Sequence, residues 1–207
     1  MRVTIIKANN SFLYAFYFCD FLYCNKGDYE MLDIIIIGSG IIGSSIAREL
    51  SRYKANILVL DKESDVSCGT TKANSGIVHA GFDNFPDTLK AKFNVEGNAM
   101  FDDLSKELDF PFKRNGALVV AFNQEAEEKL EELYQKGIIN GVKNLKIITD
   151  EDARNKEPYL SQEVTKALYA PTSGIVSPYE MALAYAENAV MNHVEFSFNE
   201  EVEVPIF

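Results

Sequence analysis

Residues 33–43 read DIIIIGSGIIG and combine a short apolar run with a glycine-rich turn. The isoleucines from Ile34 to Ile37 are β-branched and uninterrupted, which is typical of a strand buried on both faces of a parallel sheet. Residues 41–53 follow with apolar side chains at helical spacing, and residues 56–60 form a second apolar run. The order strand, turn, helix, strand predicts a βαβ unit with a right-handed crossover.

The turn carries glycines at Gly38, Gly40 and Gly43, the spacing GxGxxG. The first glycine allows a tight turn out of the strand, the second lets backbone N–H groups approach a pyrophosphate, and the third lets the helix pack closely on the sheet. A helix N-terminus also supplies a partial positive charge and free N–H donors. We therefore expect Ile41 and Ile42 to complete a phosphate site on this turn.

An acidic residue, Asp61, stands at the end of the second predicted strand, with Lys62 directly after it. A carboxylate at this place can accept hydrogen bonds from both ribose hydroxyls of a dinucleotide, and it would repel the 2'-phosphate of NADP. The sequence therefore predicts that both residues belong to a site for the ADP half of FAD or NAD.

Composition excludes several classes of function. The net charge is -11, the sequence pI is about 4.7, and no basic run is present, so nucleic acid would be repelled. The cysteines, at Cys19, Cys24 and Cys68, are too few for a disulfide framework and lack metal-ligand spacing. We expect a cytoplasmic protein without a metal site, either free or peripheral to a membrane.

The first thirty residues contain an apolar, aromatic run at 11–24, SFLYAFYFCDFLYC. It is shorter than the roughly 20 residues that span a bilayer, and Asp20 interrupts it. We therefore expect no integral membrane segment. An upstream translated extension before a natural start at Met31 is the favoured interpretation, so that residues 1–30 stand outside the fold; an interfacial anchor and a signal peptide remain the alternatives.

Beyond the βαβ unit, residues 62–85 form a long polar loop of the kind that usually carries function. Residues 86–108 have helical spacing and predict one buried face formed by Leu89, Phe93, Met100, Phe101, Leu104 and Leu108. Further predicted helices are 124–136, a short one after Thr149 and one from Ser177 to 191; predicted strands are 116–122, 145–148, 166–169, 174–176, 194–198 and 201–204.

The loop 67–81, SCGTTKANSGIVHAG, resembles the second signature of the D-amino-acid-oxidase-like flavoprotein superfamily. It is most similar to the anaerobic glycerol-3-phosphate dehydrogenase and L-2-hydroxyglutarate oxidase branches. The likeness extends from about residue 32 to the end and includes 94–98, 112–116 and 169–179. An NAD-dependent dehydrogenase is disfavoured because this loop has no role in that fold.

The resemblance implies a Rossmann-like α/β domain that binds FAD, with an inserted α+β segment of the substrate domain. The predicted division is 31–108 for the first part of the FAD-binding domain, 109–175 for the insertion and 176–207 for the return. In these families the loop contacts the cofactor and a later strand binds the adenine through its backbone. The residues that this implies as FAD contacts are Thr70, Thr71, Asn74, Ser75, Gly76 and Val202.

Relatives in these families continue through a C-terminal portion that closes over the isoalloxazine ring. We therefore expect that portion to be missing here. The 207-residue chain should self-associate, hold FAD weakly and not reduce it with glycerol 3-phosphate, whereas a version extended with that portion should do so. The implied activity is oxidation of a CH–OH group of a small anionic substrate, with glycerol 3-phosphate as first choice and L-2-hydroxyglutarate as second. The electrons then pass to an acceptor or a partner subunit. An inactive nucleotide-binding remnant is the rival from another class.

Histidine occurs twice, at His79 in the loop and at His193 near a predicted helix end. By resemblance His79 lies beside the flavin, where it would hydrogen-bond the ring, transfer a proton or carry FAD covalently. Lys113 and Arg114 are candidates for binding an anionic substrate, although solvated surface charge is the favoured interpretation. Cys68 is predicted to be an unreactive loop thiol.

Overall fold

The structure is a computed structural model that describes residues 2–7, 13–18 and 32–202. In this part of the chain there are five α-helices, a short 3-10 helix at Thr70–Lys72 and eleven strands. The helices are α1 Ile41–Leu50, α2 Leu89–Leu108, α3 Gln124–Ile139, α4 Asp150–Lys156 and α5 Pro178–Met191. The strands are β1 Arg2–Lys7, β2 Leu13–Phe18, β3 Ile34–Ile37, β4 Ile57–Asp61, β5 Ile77–Val78, β6 Phe112–Lys113, β7 Ala117–Ala121, β8 Lys146–Thr149, β9 Lys166–Ala170, β10 Gly174–Val176 and β11 Glu195–Phe198.

The described chain divides into two compact units. Unit 1 contains the chain up to Ser75, the short piece Leu108–Phe110 and the chain from Ser177; unit 2 contains Gly76–Glu107 and Pro111–Val176. This differs from the predicted division, which kept everything up to residue 108 with the first βαβ unit. The physical reason is strand pairing, because β5 joins β10 in the three-stranded sheet β5-β10-β6 of unit 2.

Unit 1 is built on a sheet whose order, among the described strands, is β1-β2-β3-β4-β11. Strands β3, β4 and β11 are parallel, with Ile36 opposite Val59 and Val59 opposite Phe196. The predicted parallel sheet is therefore confirmed. Helices α1 and α5 pack together, and wholly buried alanines, Ala47 and Ala189, contribute to the core that they share with this sheet.

Unit 2 has a second three-stranded sheet, β7-β9-β8, covered by α3. Leu130 and Leu168 lie at the centre of its core. The predicted helix starts are confirmed, because Asn123 caps α3 and Thr149 caps α4 with side-chain oxygens that accept backbone N–H groups.

The predicted buried face of α2 is wrong from Leu89 to Met100, whereas Phe101, Leu104 and Leu108 are half-buried. Leu89, Phe93 and Met100 are 70%, 59% and 53% exposed, whereas Ala91 and Asn98 are buried. Ala91 and Asn98 lie seven residues apart and therefore share a helix face. An alanine and an asparagine contribute little to an apolar pattern, so the pattern indicated the face that carries Leu89, Phe93 and Met100.

The leading strands β1 and β2 form an antiparallel pair, and β2 meets β3 through the pair Tyr17↔Ile35. Much of the aromatic run at 11–24 lies outside the described residues. The predicted last strand, 201–204, is not formed at 201–202, and residues 203–204 are outside the described part. Among the helices that are described, none is both long and apolar enough to cross a membrane.

Candidate cofactor site

The glycine-rich turn begins where β3 ends and has the tight geometry that its sequence predicts. Gly38 has φ +97°, a conformation that side chains rarely adopt, and its N–H donates to the Leu60 carbonyl at 2.7 Å. A Cβ atom built on Gly43 would overlap the Gly38 carbonyl oxygen. The close contact between the turn and the first turn of α1 therefore requires glycine at Gly43.

The start of α1 presents backbone donors with few internal partners. Gly40 is the N-cap residue and provides no side-chain hydrogen bond, and the first intrahelical bond runs from the Ser44 N–H to the Gly40 carbonyl. The N–H groups of Ile42 and Gly43 lie in the first turn of α1, where a helix offers them no intrahelical acceptor. Helix N-termini of this kind bind phosphate, so the donors fit the pyrophosphate of a dinucleotide.

The loop after β4 reaches the same helix end through Thr71. Its Oγ1 accepts a hydrogen bond from the Ile41 N–H at 3.1 Å. The Asn74 side chain donates to the Thr71 carbonyl at 2.7 Å and so holds the loop around this threonine. A Cβ atom on Gly40 would lie 3.0 Å from Thr71 Oγ1. The structure thus joins Thr71 to the glycine-rich turn, two features that sequence analysis had related only by resemblance.

The carboxylate of Asp61 is bound tightly to the turn. Its Oδ2 accepts the N–H and the hydroxyl of Ser39, each at 2.6 Å, and its Oδ1 accepts the Glu63 N–H at 3.0 Å. Burial alone would raise the pKa of Asp61, but these hydrogen bonds outweigh it and, with the charge of Lys62, hold the pKa below its ordinary value. The group is therefore an anion that still has acceptor capacity for a ribose hydroxyl.

Sequence analysis missed the role of Ser39, which is fully buried. Its only sequence signal was its position between Gly38 and Gly40, because a serine at that position does not by itself indicate a hydrogen bond to Asp61. Its backbone carbonyl also accepts from the Ser67 N–H at 3.2 Å and from the Ser44 hydroxyl at 3.1 Å. Ser39 therefore links the turn, α1 and the following loop.

The remaining predicted contacts are placed less tightly. Thr70 and Ser75 are exposed in unit 1, and Gly76 is the first residue of unit 2. Val202 is half-buried, and two residues before it the Glu200 N–H donates to the Asp61 carbonyl at 2.9 Å. The chain therefore returns to the end of β4 just before Val202, whose own role stays a prediction.

His79 belongs to unit 2, and its side chain is exposed. The His79 carbonyl accepts a hydrogen bond from the Asn98 side chain at 3.0 Å. Its role beside a flavin stays a prediction.

Arg114 is not the solvated surface charge that was predicted. Its side chain is only 22% exposed, and Nε donates to Asp102 at 2.6 Å. Further hydrogen bonds join its guanidinium to Asn98 and to the Thr172 carbonyl. These residues line a cavity of about 220 Å³ in unit 2. Most of the guanidinium donors are thus engaged within the protein, whereas Lys113 remains exposed.

Comparison with known proteins places this geometry in context. A family model described as FAD dependent oxidoreductase, DAO, matches residues 33–205. The chain is 51% identical over 172 residues to a glycerol 3-phosphate dehydrogenase of Caloramator mitchellensis, covering 83% of this chain and 36% of that protein. It is 39% identical over 158 residues to the human (Homo sapiens) mitochondrial L-2-hydroxyglutarate dehydrogenase, covering 75% of this chain and 34% of that protein.

Among solved structures, the dithionite-reduced L-alpha-glycerophosphate oxidase of Mycoplasma pneumoniae with FAD bound superposes with a TM-score of 0.75. The two are 33% identical, and the match covers 81% of this chain and 44% of that one. The chain thus spans between about a third and a half of the length of these relatives.

Proposed function

The chain belongs to the DAO family of FAD dependent oxidoreductases, and we propose that it holds the ADP half of FAD on the Gly38–Gly43 turn and oxidises a CH–OH group of a small anionic substrate. The observation that carries this proposal is the start of α1, which has no side-chain cap at Gly40 and follows a turn in which Ser39 binds the carboxylate of Asp61. The pyrophosphate of FAD needs hydrogen-bond donors, and its ribose hydroxyls need an acceptor.

The residues of unit 1 have distinct roles in this proposal. The N–H groups of Ile42 and Gly43 bind the pyrophosphate, and Thr71 fixes the loop that borders it. Asp61 is an anion at neutral pH, with its pKa held below the ordinary value by the turn, and it accepts hydrogen bonds from the ribose hydroxyls. Thr70, Asn74 and Ser75 continue the contact along the cofactor, followed by Gly76 at the start of unit 2, as the family resemblance implies.

His79 is proposed as the proton acceptor of the reaction. Bound FAD supplies the acceptor for the hydride that leaves the substrate carbon. The imidazole of His79 takes the hydroxyl proton, so that the alcohol carbon becomes a carbonyl. An exposed side chain on a fixed backbone suits this role, because it can reach a bound substrate.

Glycerol 3-phosphate is the proposed substrate, supported by the 51% identity to a glycerol 3-phosphate dehydrogenase. L-2-Hydroxyglutarate is the second candidate, supported by the 39% identity to the human enzyme. Both molecules carry a CH–OH group and an anionic group. We further propose a cytoplasmic setting, in which an electron acceptor or a partner subunit reoxidises the flavin.

The test uses the chain extended with the C-terminal portion of its relatives and loaded with FAD, and it follows the loss of oxidised flavin absorbance when substrate is added anaerobically. Glycerol 3-phosphate should bleach the flavin faster than L-2-hydroxyglutarate. His79→Gln should slow bleaching by about 10²-fold to 10⁴-fold, the usual contribution of a general base, while the matched control His193→Gln should not. FAD that binds but is reduced by neither compound would favour the nucleotide-binding remnant and contradict the proposed activity.

A further inference from the structure

The backbone at His79 is held by a buried asparagine of α2. Asn98, only 7% exposed, donates from Nδ2 to the His79 carbonyl at 3.0 Å and to the Thr172 carbonyl at 2.9 Å. Both hydrogens of the amide are therefore engaged. One side chain ties helix α2 to the His79 loop and to the turn between β9 and β10.

Arg114 fixes the orientation of that amide. Its Nη1 donates to Asn98 Oδ1 at 3.1 Å, and its Nη2 donates to the Asn98 carbonyl at 2.7 Å. A guanidinium can only donate, so the amide oxygen of Asn98 must face Arg114 and the amide nitrogen must face the His79 carbonyl. Asp102 anchors the guanidinium from the next turn of α2.

A second asparagine holds the same loop on the other side of His79. Asn140, at the end of α3, donates to the Gly81 carbonyl and to the Asn84 carbonyl, each at 2.9 Å. Gly81 has φ +102°, and a Cβ atom there would lie 2.7 Å from Val95. The loop therefore has little room to adopt another path.

The residues that flank His79 are buried while its own side chain is exposed. Val78 and Ala80 are 6% and 2% exposed, and Val78 is also paired with Gly174 in the sheet. The imidazole is thus carried on a backbone held at Val78, at the His79 carbonyl and at the Gly81 carbonyl.

We propose that Asn98 and Asn140 are positioning residues that hold His79 in a single orientation toward the substrate. The inference rests on the proposed function in so far as His79 accepts the substrate proton. Catalytic groups must be placed to within a fraction of an ångström, and supporting hydrogen bonds provide that placement.

Asn98→Asp is the decisive variant, because the carboxylate keeps an acceptor for Arg114 but loses both N–H donors. In the full 207-residue chain, backbone ¹⁵N relaxation should give order parameters of about 0.85 at His79 and Ala80, and below about 0.6 in the variant. In the extended, FAD-loaded chain the bleaching rate with glycerol 3-phosphate should fall by about 10²-fold, with FAD affinity unchanged.

Asn192→Asp is the matched control, since its Nδ2 also donates to a carbonyl, that of Asn188, but in unit 1. Asn192→Asp should leave the order parameters at His79 and Ala80 and the bleaching rate unchanged. Asn140→Asp is the second variant, and it decides the question if Asn98→Asp does not fold. It should disorder the loop at Gly81 and slow the same step.

Retained order at His79 and Ala80 in a folded variant would overturn the inference. A variant whose His79 loop is disordered but whose bleaching rate is unchanged would also overturn the inference. If His79→Gln itself leaves the rate unchanged, the proposed proton transfer fails, and the order parameters alone then decide whether the two asparagines position the loop.

Discussion

Asp61 shows how much one residue of the site could be predicted from sequence. Its place at the end of a strand after a glycine-rich turn predicts a contact with the ribose, and the structure shows that its carboxylate lies against that turn. The hydrogen bonds from Ser39 and from the Glu63 N–H were not predictable, because they depend on backbone geometry that no residue type encodes. Arg114 was predicted wrongly. Its sequence context favoured a solvated side chain, but its hydrogen-bond partners Asp102 and Thr172 lie on α2 and just before β10.

The lowered pKa of Asp61 predicts a specific pH dependence of stability. A carboxyl whose folded pKa is depressed stabilises the fold above its unfolded pKa, about 3.9, and this contribution is lost as the pH falls through the folded pKa. The difference in unfolding free energy between the protein and Asp61→Asn should therefore be constant near neutrality and shrink below about pH 4. Urea unfolding across this range measures it.

Ser39→Ala provides the comparison, because it removes the hydroxyl that donates to Asp61. In this variant the folded pKa of Asp61 is less depressed, so the acid-dependent loss of stability should be smaller and should be complete at a higher pH. If the difference in unfolding free energy between the protein and Asp61→Asn is the same at all pH values, the turn does not lower the pKa of Asp61.

Helix α1 is the element whose start was read correctly from sequence, and α2 is the element whose packing was not. Start signals are local, so Ser177 before α5 and Thr149 before α4 could be recognised from neighbouring residues. Packing depends on what covers a helix, and unit 2 buries Ala91 and Asn98 of α2 rather than its larger apolar residues.

Thr71 should stabilise the start of α1 from outside the helix. Thr71→Val removes the acceptor for the Ile41 N–H, and loss of such a cap costs about 0.5–2 kcal/mol. Thr71→Ser should retain most of this stability. Urea unfolding and FAD titration should both show the ranking threonine, serine, valine; equal behaviour of the valine and serine variants would contradict the capping role.

At the scale of the whole molecule, the parallel sheet was predictable and the division into units was not. Residues 76–107 join unit 2 because Ile77 pairs with Ile175. That pairing links positions nearly a hundred apart in the chain, and two-residue strands leave too short a pattern to detect.

The leading segment is expected to contribute little to stability. In the described structure β1 and β2 extend the sheet beyond β3, where Tyr17 pairs with Ile35, and the parallel pairs of β3, β4 and β11 do not include them. A chain lacking residues 1–30 should therefore melt within a few degrees of the full chain, where about 1 kcal/mol corresponds to roughly 2–4 °C. A larger drop or loss of solubility would show that the segment is integral to the sheet.

Binding of FAD to the glycine-rich turn is the central claim, and the dissociation constant of FAD for Gly40→Val tests it most directly. The new side chain would lie against Thr71 Oγ1 and in the path of the pyrophosphate. Hydrogen bonds to charged groups are worth about 1.5–3 kcal/mol, so affinity should fall more than about tenfold with the fold retained. Gly97→Val, where nothing lies within 4 Å of the added Cβ, should bind FAD like the parent chain. Unchanged FAD affinity in folded Gly40→Val would contradict the assignment of the site.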